Sequence, residues 1–299
     1  MSWLTDPLTF GFFARALAAG LAVGAMCGAV GVFVVLRRMS YIGHGLSHSV
    51  LGGVAVALAA GVDLYVGAVA ATVVSAVLIH RVSRYQGLHA DAAIGIVTTA
   101  MFAFGVLVVS TTRSGRVNTE ALLFGNVLGV TAGDLAVVGA ASAAFWLLLF
   151  LFAKPLLLVT FDPAVAPGHG VRAGATEVLF NLLVAGVIVV SVRVLGVLLI
   201  AAAVVIPAAL AQLVASSLGR AFAVATAVGA TSSVTGLYVS YYVNAPSGAT
   251  IVLTASAFFA VTAGAVAVRR RARAWRPQRD STVAPLPTRI TPRPESPGG

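Results

Sequence analysis

FGFFARALAAGLAVGAMCGAVGVFVV, residues 10–35, is almost wholly apolar side chains and glycine, and the cations Arg37 and Arg38 follow it closely. A helix needs about 20 such residues to cross the hydrocarbon core of a bilayer, so the run reads as a membrane span. The pattern recurs down the chain. Apolar stretches near 44–61, 65–80, 93–110, 134–153, 176–192, 194–215, 221–241 and 248–268 are separated by basic or turn-rich breaks. The count is nine spans, with eight or ten also compatible with the pattern.

Composition agrees. Of 299 residues, 59% are apolar and 9% charged, and the mean hydropathy is +1.00. Soluble domains run at roughly 45–50% apolar and about 25% charged. The balance excludes a soluble enzyme, a coiled coil and a disordered protein, and predicts an all-α, polytopic membrane protein. Basic breaks at Arg37-Arg38, Arg81/Arg84, Lys154, Arg220 and Arg269 to Arg271 fall after alternate spans. Cytoplasmic loops carry the excess of Lys and Arg, so the N-terminus is expected outside and the C-terminus inside. Arg113 and Arg116 are two exceptions on the outer side.

The net charge is +10. Eight arginines beyond residue 268 face only Asp280 and Glu295, so +6 of that total sits in the tail. A basic stretch directly after a span suits anionic lipid and the inner membrane face, not nucleic acid. From Trp275 to Gly299 the chain is rich in Pro, Arg, Ser and Thr and cannot bury a core. Residues 1–268 are therefore expected to form the transmembrane domain and 269–299 a disordered cytoplasmic tail. The N-terminal MSWLTDPLTF lacks the basic region of a secretory signal, so the first span is expected to be retained. Cys27 is the only cysteine, which leaves no disulfide framework within one chain.

Gly20, Gly24 and Gly28 recur every four residues, as do Gly125, Gly129 and Gly133. Small residues at that spacing let helix backbones approach closely in lipid, and intramolecular packing is the reading for both sets. Segment 111–133 mixes polar and apolar residues and suits an external or re-entrant piece. Lys154 is the only lysine, with no glycine-rich loop before it. The chain thus lacks the phosphate cradle used for nucleotide hydrolysis. If ATP drives it, another subunit binds the ATP.

RRMSYIGHGLSHSVLGGVAVAL, residues 37–58, carries the unusual chemistry. On a helix, His44 and His48 lie on one face about 6 Å apart along the axis. Two imidazoles so spaced can ligate one metal ion, or each can simply hydrogen-bond to backbone. Serines 40, 47 and 49 and glycines 43, 45, 52 and 53 reduce bulk around them. Polar groups at membrane depth normally face a polar interior or a partner. His80 and His89 flank the Arg81/Arg84 break, and His169 lies in a glycine-rich loop; all three read as loop or surface residues.

This stretch resembles the signature of the membrane permeases of ABC-type zinc, manganese and iron importers, approximately RRMxxxGDxLSHxxLxGVA. The likeness continues in order through LHADAAIGIVTTAMFAFGVLV (88–108), LLFGNVLGV (122–130), FDPAVAPGHGV (161–171), VRVLGVLLIAAAVVIPAALAQLV (192–214) and SYYVNAPSGATIVL (240–253). It implies a multi-pass permease in a bacterial cytoplasmic membrane, paired as a homodimer or pseudodimer. Implied partners are cytoplasmic ATP-binding subunits and an extracytoplasmic metal-binding protein. The permease itself would catalyse no covalent chemistry and hold no permanent cofactor, only the transported divalent ion.

By position, the resemblance assigns the metal ligands to His44 and His48, with histidine standing where the family carries aspartate. Carboxylate suits manganese, whereas imidazole suits zinc, copper, iron and nickel. In a two-fold dimer with this segment at the axis, four imidazole nitrogens would suit tetrahedral zinc. Zinc is the leading expectation, with manganese and iron as alternatives. Rival transport readings are a permease for metal chelates such as siderophores and an ATP-independent secondary carrier.

The resemblance also makes residues 161–171 the segment coupled to the ATPase, carried by Phe161, Asp162, Pro163 and Gly170. Asp162 can cap a short helix with Pro163 at its first position, and Pro167-Gly168 should truncate it after about one turn. Pro207 removes a mid-span hydrogen bond and should kink or break its helix, at a pathway or a plain bend. Arg193 lies at the junction of two apolar runs, near the outer interface. Asn244, Pro246 and Gly248 make a turn between spans, with Tyr241 and Tyr242 as interfacial anchors.

Overall fold

The computed structural model describes residues 6–82, 90–111, 125, 127–197 and 199–274. Some side chains inside the helices, including those of His44, His80, Asp91 and Arg193, lie outside that description. So do residues 83–89 with His89, most of segment 111–133, and the tail from Trp275 onward. The described residues form nine α-helices and no strand: α1 Gly11–Leu36, α2 Ser40–Ala60, α3 Leu64–Val82, α4 Ala90–Thr111, α5 Ala132–Phe161, α6 Ala173–Leu195, α7 Ile200–Val214, α8 Leu218–Val243 and α9 Ser247–Ala274. Each predicted span corresponds to one of them. Among the described residues, α1, α5, α6, α8 and α9 contain stretches long and apolar enough to cross a membrane. The apolar windows of the other four are shorter: His48–Ala57, Tyr65–Ile79, Ala92–Val108 and Ile200–Val214.

Local chemistry sets the ends. Thr131 opens α5 with a capping box, its hydroxyl accepting from Asp134 N while the Asp134 carboxylate accepts from Thr131 N. Ser217 caps α8 by accepting from Arg220 N, and Asn244 closes α8 in the left-handed region at φ 54°. The end of α1 is a Schellman motif, with Met39 N donating to Val34 O and Arg38 N to Val35 O. Its left-handed position is filled by Arg38 at φ 56°, where glycine is usual.

Three boundaries differ from expectation. Lys154 and Pro155 sit inside α5, which runs on to Phe161. Arg193 is inside α6; the break before α7 falls at Gly196, whose φ of 76° ends the helix. Helix α9 continues through Arg269 to Arg271 and ends at Ala274, so the basic stretch begins as helix.

Helix α1 is the most enclosed of the long spans, and α5 and α9 are the most exposed. It packs on α8, α7, α5 and α6. The α1–α8 seam is built from small residues: a Cβ on Gly20, Gly24 or Gly28 would strike Leu237, Gly229 or Ala225 respectively. With no hydrophobic drive between helices in lipid, such close backbone packing supplies the association. Helix α2 packs on α4, α3, α7 and α6, with Gly52 against Met101 and Gly53 against Gly67.

Candidate metal site and coupling segment

His44 and His48 lie one turn apart on α2, as the spacing predicts. The His44 side chain is outside the described residues. His48 is half-buried, with Nδ1 shielded from solvent. Its ring meets Phe102 of α4 edge-on, 5.0 Å between centroids at 85°. Gly45 and Gly52 flank it on the same helix face, and a Cβ on either would press into α4 at Ile94 and Thr98 or at the Met101 carbonyl. The glycines thus draw α4 close and leave the imidazole at a narrow seam. Ser49 is spent locally, donating to Gly45 O at 3.2 Å. His169 is exposed, with Nδ1 3.3 Å from Val165 O. Among the described residues, no group of three or more His, Cys, Asp or Glu comes together.

Pro207 is buried in α7, which stays helical from Ile200 to Val214 around it. The neighbouring face of α7 is closed against α1, where a Cβ on Gly31 would strike the Val204 carbonyl. The irregular backbone lies elsewhere. Gly125, at φ 78°, sits directly against Leu195 and Gly196 at the α6–α7 break. Sequence reasoning missed Gly196, although a lone glycine between apolar runs was its signal.

Val127–Gly129 follow as a short 3₁₀ turn, with Val127 and the next residue, Val130, buried. Val127 N donates to Ser247 Oγ at 3.2 Å, and Arg15 Nε donates to Val130 O at 3.4 Å. Buried non-helical backbone in a membrane must be satisfied by such partners. The expected packing face of Gly125, Gly129 and Gly133 does not form. Gly125 is left-handed, Gly129 ends the 3₁₀ turn, and Gly133 lies just past the Thr131 cap with an open flank. Beyond it, Asp134 is buried; its carboxylate also accepts from Thr131 Oγ1 at 2.7 Å and from Tyr65 of α3 at 3.0 Å.

Between α5 and α6, Asp162 Oδ1 accepts from Ala164 N and Val165 N, both at 3.1 Å. The carboxylate thus holds a turn over 163–165, and the short helix expected to open at Pro163 with Asp162 as its cap begins instead at Ala166, with Val165 as N-cap. A 3₁₀ turn over Ala166–His169 follows, running through Pro167-Gly168 and ending at left-handed Gly170 with φ 73°. Proline fits there because its nitrogen needs no partner in a first turn. Ala166 is buried beneath the knob, while Phe161 is 65% and Val165 44% exposed. An apolar ring and a valine thus stand exposed on a hydrogen-bonded protrusion between α5 and α6.

The base of that protrusion is tied to α1. Arg37 Nε donates to Thr160 Oγ1 at 2.9 Å, and its guanidinium carbon lies 4.1 Å over the Phe180 ring. Burial pulls the Arg37 guanidinium below its usual value, opposed by the charge of Glu177. Phe180 meets Phe33, which meets Phe222 of α8, so an aromatic ladder joins α6, α1 and α8 at this end.

Comparisons with known proteins cover nearly all of this fold. The manganese transport system membrane protein MntC of Halalkalibacterium halodurans is 37% identical over 254 residues, 85% of this chain and 87% of that protein. The chelated iron transport system membrane protein YfeC of Yersinia pestis is 33% identical over 276 residues, 90% of this chain and 94% of that one. The solved structure of PsaBC from Streptococcus pneumoniae in complex with Fab superposes with a TM-score of 0.80 at 34% identity, covering 87% of this chain and 94% of that chain. Residues 9–265 match the ABC 3 transport family. With the glycine-sutured bundle, the histidine helix and the capped inter-helix knob in place, the chain belongs to that family as a multi-pass membrane permease subunit for metal ions.

Proposed function

We propose that this permease imports a divalent transition metal through a path in which His44 and His48 are ligands. The observation that carries the reading is the half-buried His48 imidazole at the α2–α4 seam, one helical turn from His44. Imidazole is a poor match for manganese and a good one for zinc and iron. The relatives are named for manganese or chelated iron, and replacing a carboxylate by His44 moves the donor set toward zinc. Paired permeases would double the set, and a bare ion needs no wider cavity. The N-terminus lies outside and the C-terminus inside, which puts Phe161, Asp162, Pro163 and Gly170 on the cytoplasmic side. There they dock separate ATP-binding subunits, while an extracytoplasmic protein delivers the metal. Pro207 and the Gly196 break lend the α6–α7 pair the freedom to alternate.

The test is uptake in proteoliposomes by the permease with its ATP-binding subunit, comparing zinc, manganese and iron with and without ATP. Zinc uptake that needs ATP, and that His44→Ala or His48→Ala abolishes at unchanged protein level, is expected. Normal uptake in both variants would overturn the ligand assignment, and faster manganese uptake the metal preference. Uptake without ATP would mark a secondary carrier.

A further inference from the structure

Arg37 stands at a junction that the reading above does not use. Its Nε donates to Thr160 at the last turn of α5, one residue before Phe161. Thr160 sends its own hydroxyl hydrogen to Leu156 O at 2.6 Å, which leaves its lone pair facing Arg37. The guanidinium lies over Phe180 near the start of α6, so Arg37 grips both helices that flank the protrusion. In the other direction only Arg38 and Met39 separate it from α2, and both backbone amides are locked into the end of α1. His44 is seven residues away on α2.

The grip is also incomplete. Arg37 Nη2 is buried without a hydrogen-bond partner among the described residues. Glu177, one turn from Phe180 and exposed, acts on Arg37 through its charge without an ion pair among the described residues. A buried donor left unmet in one arrangement has a reason to find an acceptor in another, and Glu177 is placed to supply it.

We propose that Arg37 is a positioning residue for coupling: it links the α5–α6 protrusion to the α1–α2 corner, so that displacement of the protrusion moves the histidine helix. Helices held this way move together because packed elements shift between discrete arrangements. The inference rests on the proposed function, since it assumes that the protrusion receives the ATP-binding subunit.

The experiment uses the permease reconstituted with that subunit, reading metal taken up per ATP hydrolysed, together with the KM for metal and the maximal rate. Arg37→Met keeps the length and the apolar stem. Its uptake per ATP should fall about tenfold, a change within the range of couplings carried between sites, while the KM for metal stays within about twofold of wild type. Thr160→Val removes only the acceptor and should lower the ratio about threefold. Arg37→Lys, which keeps the charge but not the planar fork, should not restore it. A wild-type ratio in Arg37→Met overturns the proposal. If that variant fails to reach the membrane, a wild-type ratio in Thr160→Val does so alone. Wild-type vesicles without ATP-driven uptake would instead defeat the proposed function, independently of Arg37.

Discussion

Gly24 and Gly229 meet backbone to backbone: a Cβ on either would occupy the place of the other's carbonyl group. The crossing of α1 and α8 is therefore fixed from both sides. Valine at either position must push the helices apart, and overpacking costs roughly 1–3 kcal/mol. Gly24→Val and Gly229→Val should each lower the thermal unfolding midpoint of the protein in detergent. The double variant should lose less than the sum, because both disrupt one contact. Strictly additive losses would show that they do not share it.

Tyr65 and Asp134 join α3 to the start of α5 through a buried carboxylate. A hydrogen bond to a charged group contributes about 1.5–3 kcal/mol, and Tyr65→Phe removes that donor while keeping the ring. A lower unfolding midpoint than wild type is expected. An unchanged midpoint would mean that the Tyr65 hydroxyl adds nothing to the stability of the α3–α5 contact.

Arg38 occupies a left-handed conformation at φ 56°. That backbone costs a residue with a side chain roughly 1–2 kcal/mol, partly offset in a glycine variant by its extra freedom when unfolded, about 0.5–1 kcal/mol. Arg38→Gly should stabilise the protein slightly, by about 1 kcal/mol or less. Arg38→Ala, which removes the charge but keeps the strain, should not. Equal midpoints for the two variants would locate the effect in the charge.

Asp162 holds the first turn of the protrusion through two backbone amides. Loss of such a cap costs about 1 kcal/mol. In inside-out vesicles, protease cleavage within 163–170 should be faster for Asp162→Ala than for wild type and near wild type for Asp162→Asn, which keeps the acceptor. Similar cleavage of Asp162→Ala and wild type would show that the 3₁₀ turn holds unaided.

Nine helices were legible because a bilayer demands runs of apolar residues, and composition alone reveals those. The Gly20, Gly24 and Gly28 face was legible for the same reason: small residues every fourth position have one use in a helix that packs. The same spacing misled at Gly125, Gly129 and Gly133, where a left-handed glycine and the Thr131 cap override it. Arg193 passed for a boundary because a charge looks like one, while Gly196, the actual break, has no charge to announce it. That His44 and His48 stand one turn apart on α2 could be read from their spacing. The seat of His48 against Phe102 could not, since it depends on how α2 meets α4. Arg37 hid behind its neighbour. An Arg-Arg pair after a span signals the inner side of a membrane, and only the fold brings Thr160, 123 residues away in sequence, under its guanidinium.

The meeting of Gly125 with Gly196 has a consequence for observing transport. A Cβ on Gly125 would fall on main-chain atoms of Val194, Leu195 and Gly196, so the two segments meet there main chain to main chain. The Gly196 amide, held by Val192 O at 2.8 Å, reports on the end of α6, and isotope exchange there that quickens during turnover would show that this helix end opens.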